Sequence, residues 1–297
     1  MRVAVTGATG FLGRYIVNHL LGEGHSCRCW TRAGGDRGGF VEADGRLELL
    51  DGQLGDETAT KKLVDGVYAV VHSALHRPGA GFRGAEGDLI DFVQTNVLGT
   101  LRLITAARAA GAGRFVFIST CAVHEVILDD RKLDEAHPLW PRSHYGAHKA
   151  AVEKFVHSFG FGEGYAICSL RPTGIYGLRR PVERSKWYQL VKDVAACKPI
   201  DSAAGGKEVH AADVARAVGI LLQADDVAGQ CYNCCDMYIS DQMVAEIARQ
   251  LTGSKSKIAK VNKGPKHQID TTKLRVLGLQ FGGRPLLEKT VKQLLDS

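Results

Sequence analysis

Residues 2–13, RVAVTGATGFLG, restrict the fold more than any other stretch of this chain. The β-branched, apolar run at 2–7 reads as a buried parallel strand. Glycines follow at Gly7, Gly10 and Gly13, and a helical pattern carrying Leu12, Ile16, Leu20 and Leu21 runs on to a closing Gly24. Strand, glycine turn and helix in this order make the phosphate-binding corner of a dinucleotide fold. Gly7 permits the tight turn, Gly10 lets backbone approach a pyrophosphate, and Gly13 lets helix and strand pack closely. The helix amides then face the phosphates. A glycine-rich turn with no ligand is the bland alternative, and the strand–turn–helix context weighs against it.

The remainder repeats the alternation. Strands are expected at 25–32, 46–52, 68–74, 114–120 and 165–172, separated by helical patterns, notably 88–111. Such a chain is α/β, a doubly wound parallel sheet of the Rossmann type. The later third is less regular: a charged loop and helix at 179–199, then helices at 213–223 and 240–253. The expected division is a dinucleotide-binding domain at 1–170. A smaller, interleaved C-terminal substrate lobe is expected at 171–297, partly returning to the sheet around 203–235. A chain of 297 residues has room for both.

Several functional classes are set aside. An apolar strand directly after Met1 does not resemble a signal peptide, and no run is long enough to cross a membrane. With eight cysteines spread without a disulfide rhythm, a reducing cytoplasm is the expected setting. The segment CYNCCD (231–236) lacks a second ligand pair at a matching spacing, so its cysteines are taken as small buried hydrophobes and no metal is expected. The formal charge of +6 owes much to the lysines of 253–267. That segment has no aromatic residue to stack on a base, so no nucleic-acid partner is expected. A solvated loop and strand, or a lobe facing an anionic cofactor or substrate, fits better.

The choice of dinucleotide depends on the end of the second strand, WTRAGG, where Thr31 and Arg32 replace the carboxylate an NAD site usually carries there. Arg32 suits a 2′-phosphate, so NADP is preferred over NAD; a surface arginine stacking on adenine is the other option. The strand at 114–120 ends on Ser119 and Thr120, at the edge where open parallel sheets bind ligands. Beyond it, Tyr145 and Lys149 stand one helical turn apart on a shared face. Four-residue spacing of this kind recurs freely, but a nearby ammonium favours phenolate, and Tyr145 could then move a proton while a cofactor moves hydride.

With the glycine turn, the segments DGQLGD (51–56), VVHSA (70–74), NVLGT (96–100), ISTCAVH (118–124), LDEAHPLWPRSHYGAHK (133–149), LRPTGIYG (170–177) and VHAADVARA (209–217) complete a pattern. It resembles the extended short-chain dehydrogenase/reductases, the NAD-dependent epimerase/dehydratase family. The resemblance implies that Thr120 hydrogen-bonds the reacting oxygen, Tyr145 is the acid/base, and Lys149 holds the nicotinamide ribose and lowers the Tyr145 pKa. It further implies cofactor contacts at Gly7, Thr9, Gly10, Phe11, Leu12, Gly13, Arg32, Gln53, Leu54, Ser73, Ala74, Asn96, Tyr145, Lys149 and Pro172. Ser119 as packing and Asn96 as a helix-turn stabiliser are the plainer alternatives.

Departures from the pattern narrow what it implies. Gln53 replaces an aspartate, and His124 stands where a tyrosine is frequent, which reads as a loop-packing substitution. Cys121 and Ala122 fill the places where 4,6-dehydratases carry Asp-Glu, so dehydration is not expected. Only Lys207 stands near the place of a diphosphate-gripping arginine; Arg179, Arg180, Arg184 and Lys186 are further cations. The resemblance thus implies an NAD(P)-dependent oxidoreductase acting on a small molecule. A sugar epimerase working by transient oxidation is one form, on a nucleotide sugar, and an NADPH-dependent carbonyl reductase is the alternative. A catalytically silent cofactor-binding regulator ranks lower, since Tyr145 and Lys149 are both present. A homodimer formed through a helix pair is common in such a family.

Overall fold

The computed structural model describes residues 1–78, 86–260 and 264–297. The chain opens with β1 (Arg2–Thr6), α1 (Phe11–Gly22), β2 (Ser26–Thr31), β3 (Leu47–Asp51), α2 (Glu57–Val64) and β4 (Ala69–His72). It continues with α3 (Leu89–Val93), a π-helical turn (Gln94–Leu98), α4 (Gly99–Ala109), β5 (Arg114–Ile118), α5 (His144–His157) and β6 (Ala166–Pro172). Then follow β7 (Gly174–Tyr176), α6 (Tyr188–Ala195), β8 (Gly205–His210), α7 (Ala211–Leu221) and β9 (Gln230–Cys234). The last elements are β10 (Met237–Ser240), α8 (Asp241–Thr252), α9 (Thr272–Val276) and α10 (Gly283–Asp296).

The elements fall into two compact units. The first comprises Met1–Pro172, Val214–Cys234 and Asp270–Leu279. Its seven strands form one sheet in the order β3-β2-β1-β4-β5-β6-β9. Every neighbouring pair is parallel. The doubly wound sheet expected from the alternation is the one observed, and its strand order reverses between β1 and β4. A reversal of this kind is where open parallel sheets bind ligands, at the carboxyl edge. One face is covered by a core of Leu63, Leu103, Ile104, Phe115, Phe117, Val152 and Ile167, all essentially inaccessible to solvent. Buried on both faces, the strands need continuous apolar runs, and for that reason β1, β4 and β5 stood out in the sequence.

The second unit comprises Thr173–Asp213, Cys235–Ile269 and Gln280–Ser297. Its sheet has the order β10-β8-β7, with β8 antiparallel to β10 and parallel to β7. Val191, Val194, Ile239, Val244, Ile247, Leu287, Val291 and Leu294 form its core.

The helix expected at 88–111 is interrupted by the π turn, which places one extra residue in the winding and rotates the faces beyond it. The strand expected within the basic segment 253–267 reduces to a single parallel bridge between Ile200 and Ile258; residues 261–263 of that segment lie outside the described residues. The cysteines of CYNCCD are buried, the first two of them inside β9.

Candidate active site

The glycine turn is built as close approach requires. Gly7 has φ +71°, and a Cβ there would lie 2.7 Å from the Ala74 nitrogen, so the turn abuts the chain leaving β4. A Cβ on Gly13 would collide with the Gly7 carbonyl oxygen. Gly10 N–H donates to that same oxygen at 3.0 Å. Gly10 occupies the N-cap position of α1 without any side-chain cap, and the first turn of α1 carries no acid. A twelve-residue helix that begins uncapped at the sheet's switch point fits a dinucleotide's phosphates. Thr9, Phe11 and Leu12 lie in this turn. Arg14 holds it from behind, donating to the Thr9 carbonyl and, at 2.9 Å, to the Gly38 carbonyl.

Beneath the turn runs a directed chain of hydrogen bonds. The Thr100 hydroxyl donates to the Asn96 carbonyl at 2.5 Å, so it accepts from His72 Nε2 at 2.8 Å. His72 Nδ1 is then the acceptor for the Thr6 hydroxyl at 2.6 Å, and Thr6 Oγ1 in turn accepts from Ala74 N at 3.3 Å. The Ser73 hydroxyl donates to the Thr6 carbonyl at 2.7 Å. Ser73 and Ala74 are thereby fixed against β1. Burial brings His72 down to about 3, with the Lys149 charge acting in the same direction, so the ring is neutral. Asn96 is buried: its carbonyl oxygen accepts from His76 N at 2.8 Å and its amide donates to the His76 and Phe92 carbonyls. The side chain pins the loop after β4 to the π turn. Arg32 is exposed just beyond β2, Gln53 is exposed beyond β3, Leu54 packs on the core, and Pro172 closes β6.

Thr120 and Tyr145 come together from different elements. Thr120 follows β5 and accepts from Ala122 N at 3.1 Å, capping the short helical turn Cys121–His124. Ser143 caps α5 by accepting from Gly146 N at 3.0 Å, and Glu125 accepts from the Ser143 amide and hydroxyl. A Cβ on Gly146 would lie 2.7 Å from the Ala122 carbonyl, so the first turn of α5 rests on the Thr120 turn. There the Tyr145 and Thr120 hydroxyls are hydrogen-bonded. One turn on, Lys149 is only 4% exposed. Its ammonium donates to the Ile118 carbonyl at 2.7 Å and lies 4.5 Å from the centre of the Phe117 ring.

Burial brings Lys149 down to about 7, against the opposing pull of Glu153. Tyr145 stands above its ordinary value, because burial outweighs the Thr120 hydrogen bond and the Arg77 charge. The expected depression of Tyr145 by Lys149 is thus not the balance in this arrangement, in which the ammonium is engaged by a backbone carbonyl. A second positive charge at the site is what would change the sign.

Behind this trio stand groups that the sequence did not single out. Glu153 and Arg171 form a buried pair: Arg171 Nε lies 3.0 Å from Oε1 and Nη2 2.6 Å from Oε2. Ser119, read as packing, donates to Glu153 Oε1 at 2.5 Å. His124 does more than fill a loop: its Nε2 accepts from Arg171 Nη1 at 3.2 Å and its Nδ1 donates to the Pro138 carbonyl at 3.3 Å. Burial and the Arg171 charge bring it down to about 4. A signal existed for Glu153, which follows Lys149 at i+4. None pointed to Arg171, which arrives from a strand.

A model of the NAD dependent epimerase/dehydratase family matches residues 3–235. Over 183 residues the chain is 32% identical to a 3 beta-hydroxysteroid dehydrogenase/Delta 5-->4-isomerase of Mycobacterium tuberculosis, covering 59% of this chain and 47% of that one. The chain therefore spans about half the length of that curated relative. Over 294 residues it is 28% identical to the Low-salt glycan biosynthesis protein Agl12 of Haloferax volcanii, covering 94% of this chain and 93% of that one. In fold it resembles the UDP-glucose 4-epimerase of Thermus thermophilus solved with NAD, with TM-score 0.79, 23% identity and full coverage of both chains.

Proposed function

The chain belongs to the NAD dependent epimerase/dehydratase family, and from that premise we propose that it moves hydride at a hydroxyl- or carbonyl-bearing carbon of a small molecule. The hydrogen-bonded Thr120 and Tyr145 hydroxyls, with Lys149 one turn behind, carry this reading. A nicotinamide dinucleotide, when bound, supplies the hydride acceptor or donor. Gly7, Thr9, Gly10, Phe11, Leu12 and Gly13 would hold its phosphates. Gln53, Leu54, Ser73, Ala74, Asn96 and Pro172 complete the proposed cofactor residues.

The chain's own residues handle the proton. Thr120 offers its hydroxyl to the reacting oxygen, and Tyr145 takes a proton from that oxygen on oxidation and returns it on reduction. Tyr145 must lose its proton to act as base, and Lys149 on the same helix face is the cation suited to favour that. Burial brings Lys149 down to about 7 and Glu153 opposes it, so the charge on Lys149 depends on what surrounds it.

NADP is the preferred cofactor. Arg32 is exposed beyond β2, and Asp51, the carboxylate that ends β3, is already bonded to Arg37 at 2.5 Å and to the Thr31 hydroxyl at 3.4 Å. Epimerisation of a nucleotide sugar is the leading reaction, without 4,6-dehydration, since Cys121 and Ala122 have no acid–base chemistry suited to elimination. Arg32 also favours a second reading, a carbonyl reductase that exchanges NADPH each turnover. Substrate recognition is assigned to the second unit. A reducing cytoplasm suits the eight unbridged cysteines. A homodimer suits the exposed Ile90, Leu98 and Phe155 on α3, the π turn and α5; sedimentation of the purified protein checks it.

The decisive experiment combines cofactor release and one substitution. Tyr145→Phe is expected to lower turnover by about two to four orders of magnitude while leaving NADPH binding intact. Preserved turnover would overturn the assignment. Denaturing the fresh protein and identifying the released dinucleotide separates the two reactions: a retained, slowly exchanging cofactor supports epimerisation, and reversible NADPH binding supports the reductase.

A further inference from the structure

Three consecutive residues at the end of β5 are each held by a different turn of α5. The Thr120 hydroxyl meets Tyr145, the Ile118 carbonyl accepts from Lys149 at 2.7 Å, and the Ser119 hydroxyl donates to Glu153 at 2.5 Å. Tyr145, Lys149 and Glu153 stand at i, i+4 and i+8, so they line one helix face. Only the first two enter the reaction proposed above.

Glu153 is wholly buried, where a carboxylate needs partners to remain charged. Arg171 supplies them through Nε and Nη2. The guanidinium is itself fixed, with Nη1 shared between His124 Nε2 and the Glu135 carbonyl, each at 3.2 Å. The Glu153 carboxylate is therefore a fixed negative point one turn beyond Lys149, and it is bonded to the residue that precedes Thr120. Among the described residues, the other groups named around Lys149 bring no negative charge. His72 from β4 and His148 from α5 are kept neutral by burial, and Phe117 offers its ring.

We infer that Glu153 is a positioning residue: through Ser119 it sets where Thr120 stands against Tyr145, and through its charge it keeps Lys149 an ammonium. This rests on the reading of Thr120, Tyr145 and Lys149 as the catalytic trio. Loss of the carboxylate would leave Lys149 uncharged over more of the pH range, and the Tyr145 phenolate would lose its cation.

The test is a pH titration of the ultraviolet phenolate band on the full chain saturated with NADP. The Tyr145→Phe protein serves as the blank that isolates Tyr145. Glu153→Gln is expected to raise the Tyr145 midpoint by about one pH unit. Should the lone Arg171 prevent that variant from folding, Glu153→Gln with Arg171→Gln takes away both charges of the pair and is expected to show a smaller rise in the same direction. Ser119→Ala keeps the ion pair and is expected to lower kcat by about tenfold, with cofactor affinity unchanged. A purely structural role would lower thermal stability and leave the midpoint where it was, and that result overturns the inference, as does full kcat in Ser119→Ala. If Tyr145→Phe itself keeps turnover, the catalytic reading fails. If Tyr145→Phe is inactive while the Glu153 variants titrate like the unaltered protein, only the role of Glu153 fails.

Discussion

A methyl group on Gly13 would have to occupy space held by the Gly7 carbonyl, which cannot retreat because it accepts the Gly10 amide. Gly13→Ala is expected to push α1 away from the turn. Overpacking of this kind costs about 1–3 kcal/mol, and the same displacement should weaken NADPH binding by about tenfold or more. Gly22, in the last turn of the same helix, has nothing within 4 Å of its would-be Cβ. Gly22→Ala is therefore the control: about 0.5–1 kcal/mol more stable, with cofactor affinity unchanged. Thermal denaturation and a fluorescence titration of NADPH on both variants check the contrast. At this scale the sequence was informative wherever a residue type has few uses. Glycines at 7, 10 and 13, and hydroxyls ending a strand, leave little choice. Asn96 and His72 were harder to place, because buried polar groups take their meaning from partners that only the fold supplies.

The entry of α5 carries the site more than any other helix end, because Tyr145 lies two residues beyond its cap. Ser143 serves both directions: its hydroxyl oxygen accepts from Gly146 N and its proton goes to Glu125. Ser143→Ala removes both bonds and is expected to cost about 1 kcal/mol. Fraying the first turn should also lower kcat more than it weakens NADPH binding, since the glycine turn lies on another helix; parallel melting and kinetic measurements distinguish this from a general loss of fold. Elements differed in legibility for physical reasons. Strands buried on both faces must be apolar throughout, and β1 to β6 were found to within one or two residues. In β8 the pattern is broken by Gly205, Gly206, Lys207 and Glu208. A Cβ on Gly206 would stand 2.8 Å from the Glu208 carboxylate, which would have to shift to admit it. The π turn leaves no mark in apolar spacing short enough to be read. The Tyr145–Lys149 pair was visible because one helix holds both; the Glu153–Arg171 pair was not, because register between a helix and a strand decides it.

Across the whole molecule, neutral histidines in the interior make stability depend on pH. Burial brings His72 to about 3, His124 to about 4 and His148 to about 2, while in the unfolded chain each takes a proton near the ordinary value of 6.5. Below that value the unfolded state binds protons the folded state refuses, so stability falls as pH falls. Each histidine contributes a slope of about 1.4 kcal/mol per pH unit until its own folded pKa is reached, His124 first. Glu135 and Glu208 work the other way: burial raises both, so the folded chain takes their protons before the unfolded chain does. Burial lowers the half-buried His19 and His25 as well, so the descent stays in place, and it begins at higher pH than the carboxylates titrate. Lys149 adds to the trend above about 7, where the unfolded chain again holds the extra proton, until the buried cysteines, raised from their ordinary 9.0, oppose it. Urea unfolding between about pH 7 and pH 5 is therefore expected to show a steady loss of stability, and His124→Gln should make its slope shallower. Equal stability across that interval would mean that these histidines charge within the fold, where the directed bonds through Thr6, Thr100 and Arg171 leave His72 and His124 no proton position.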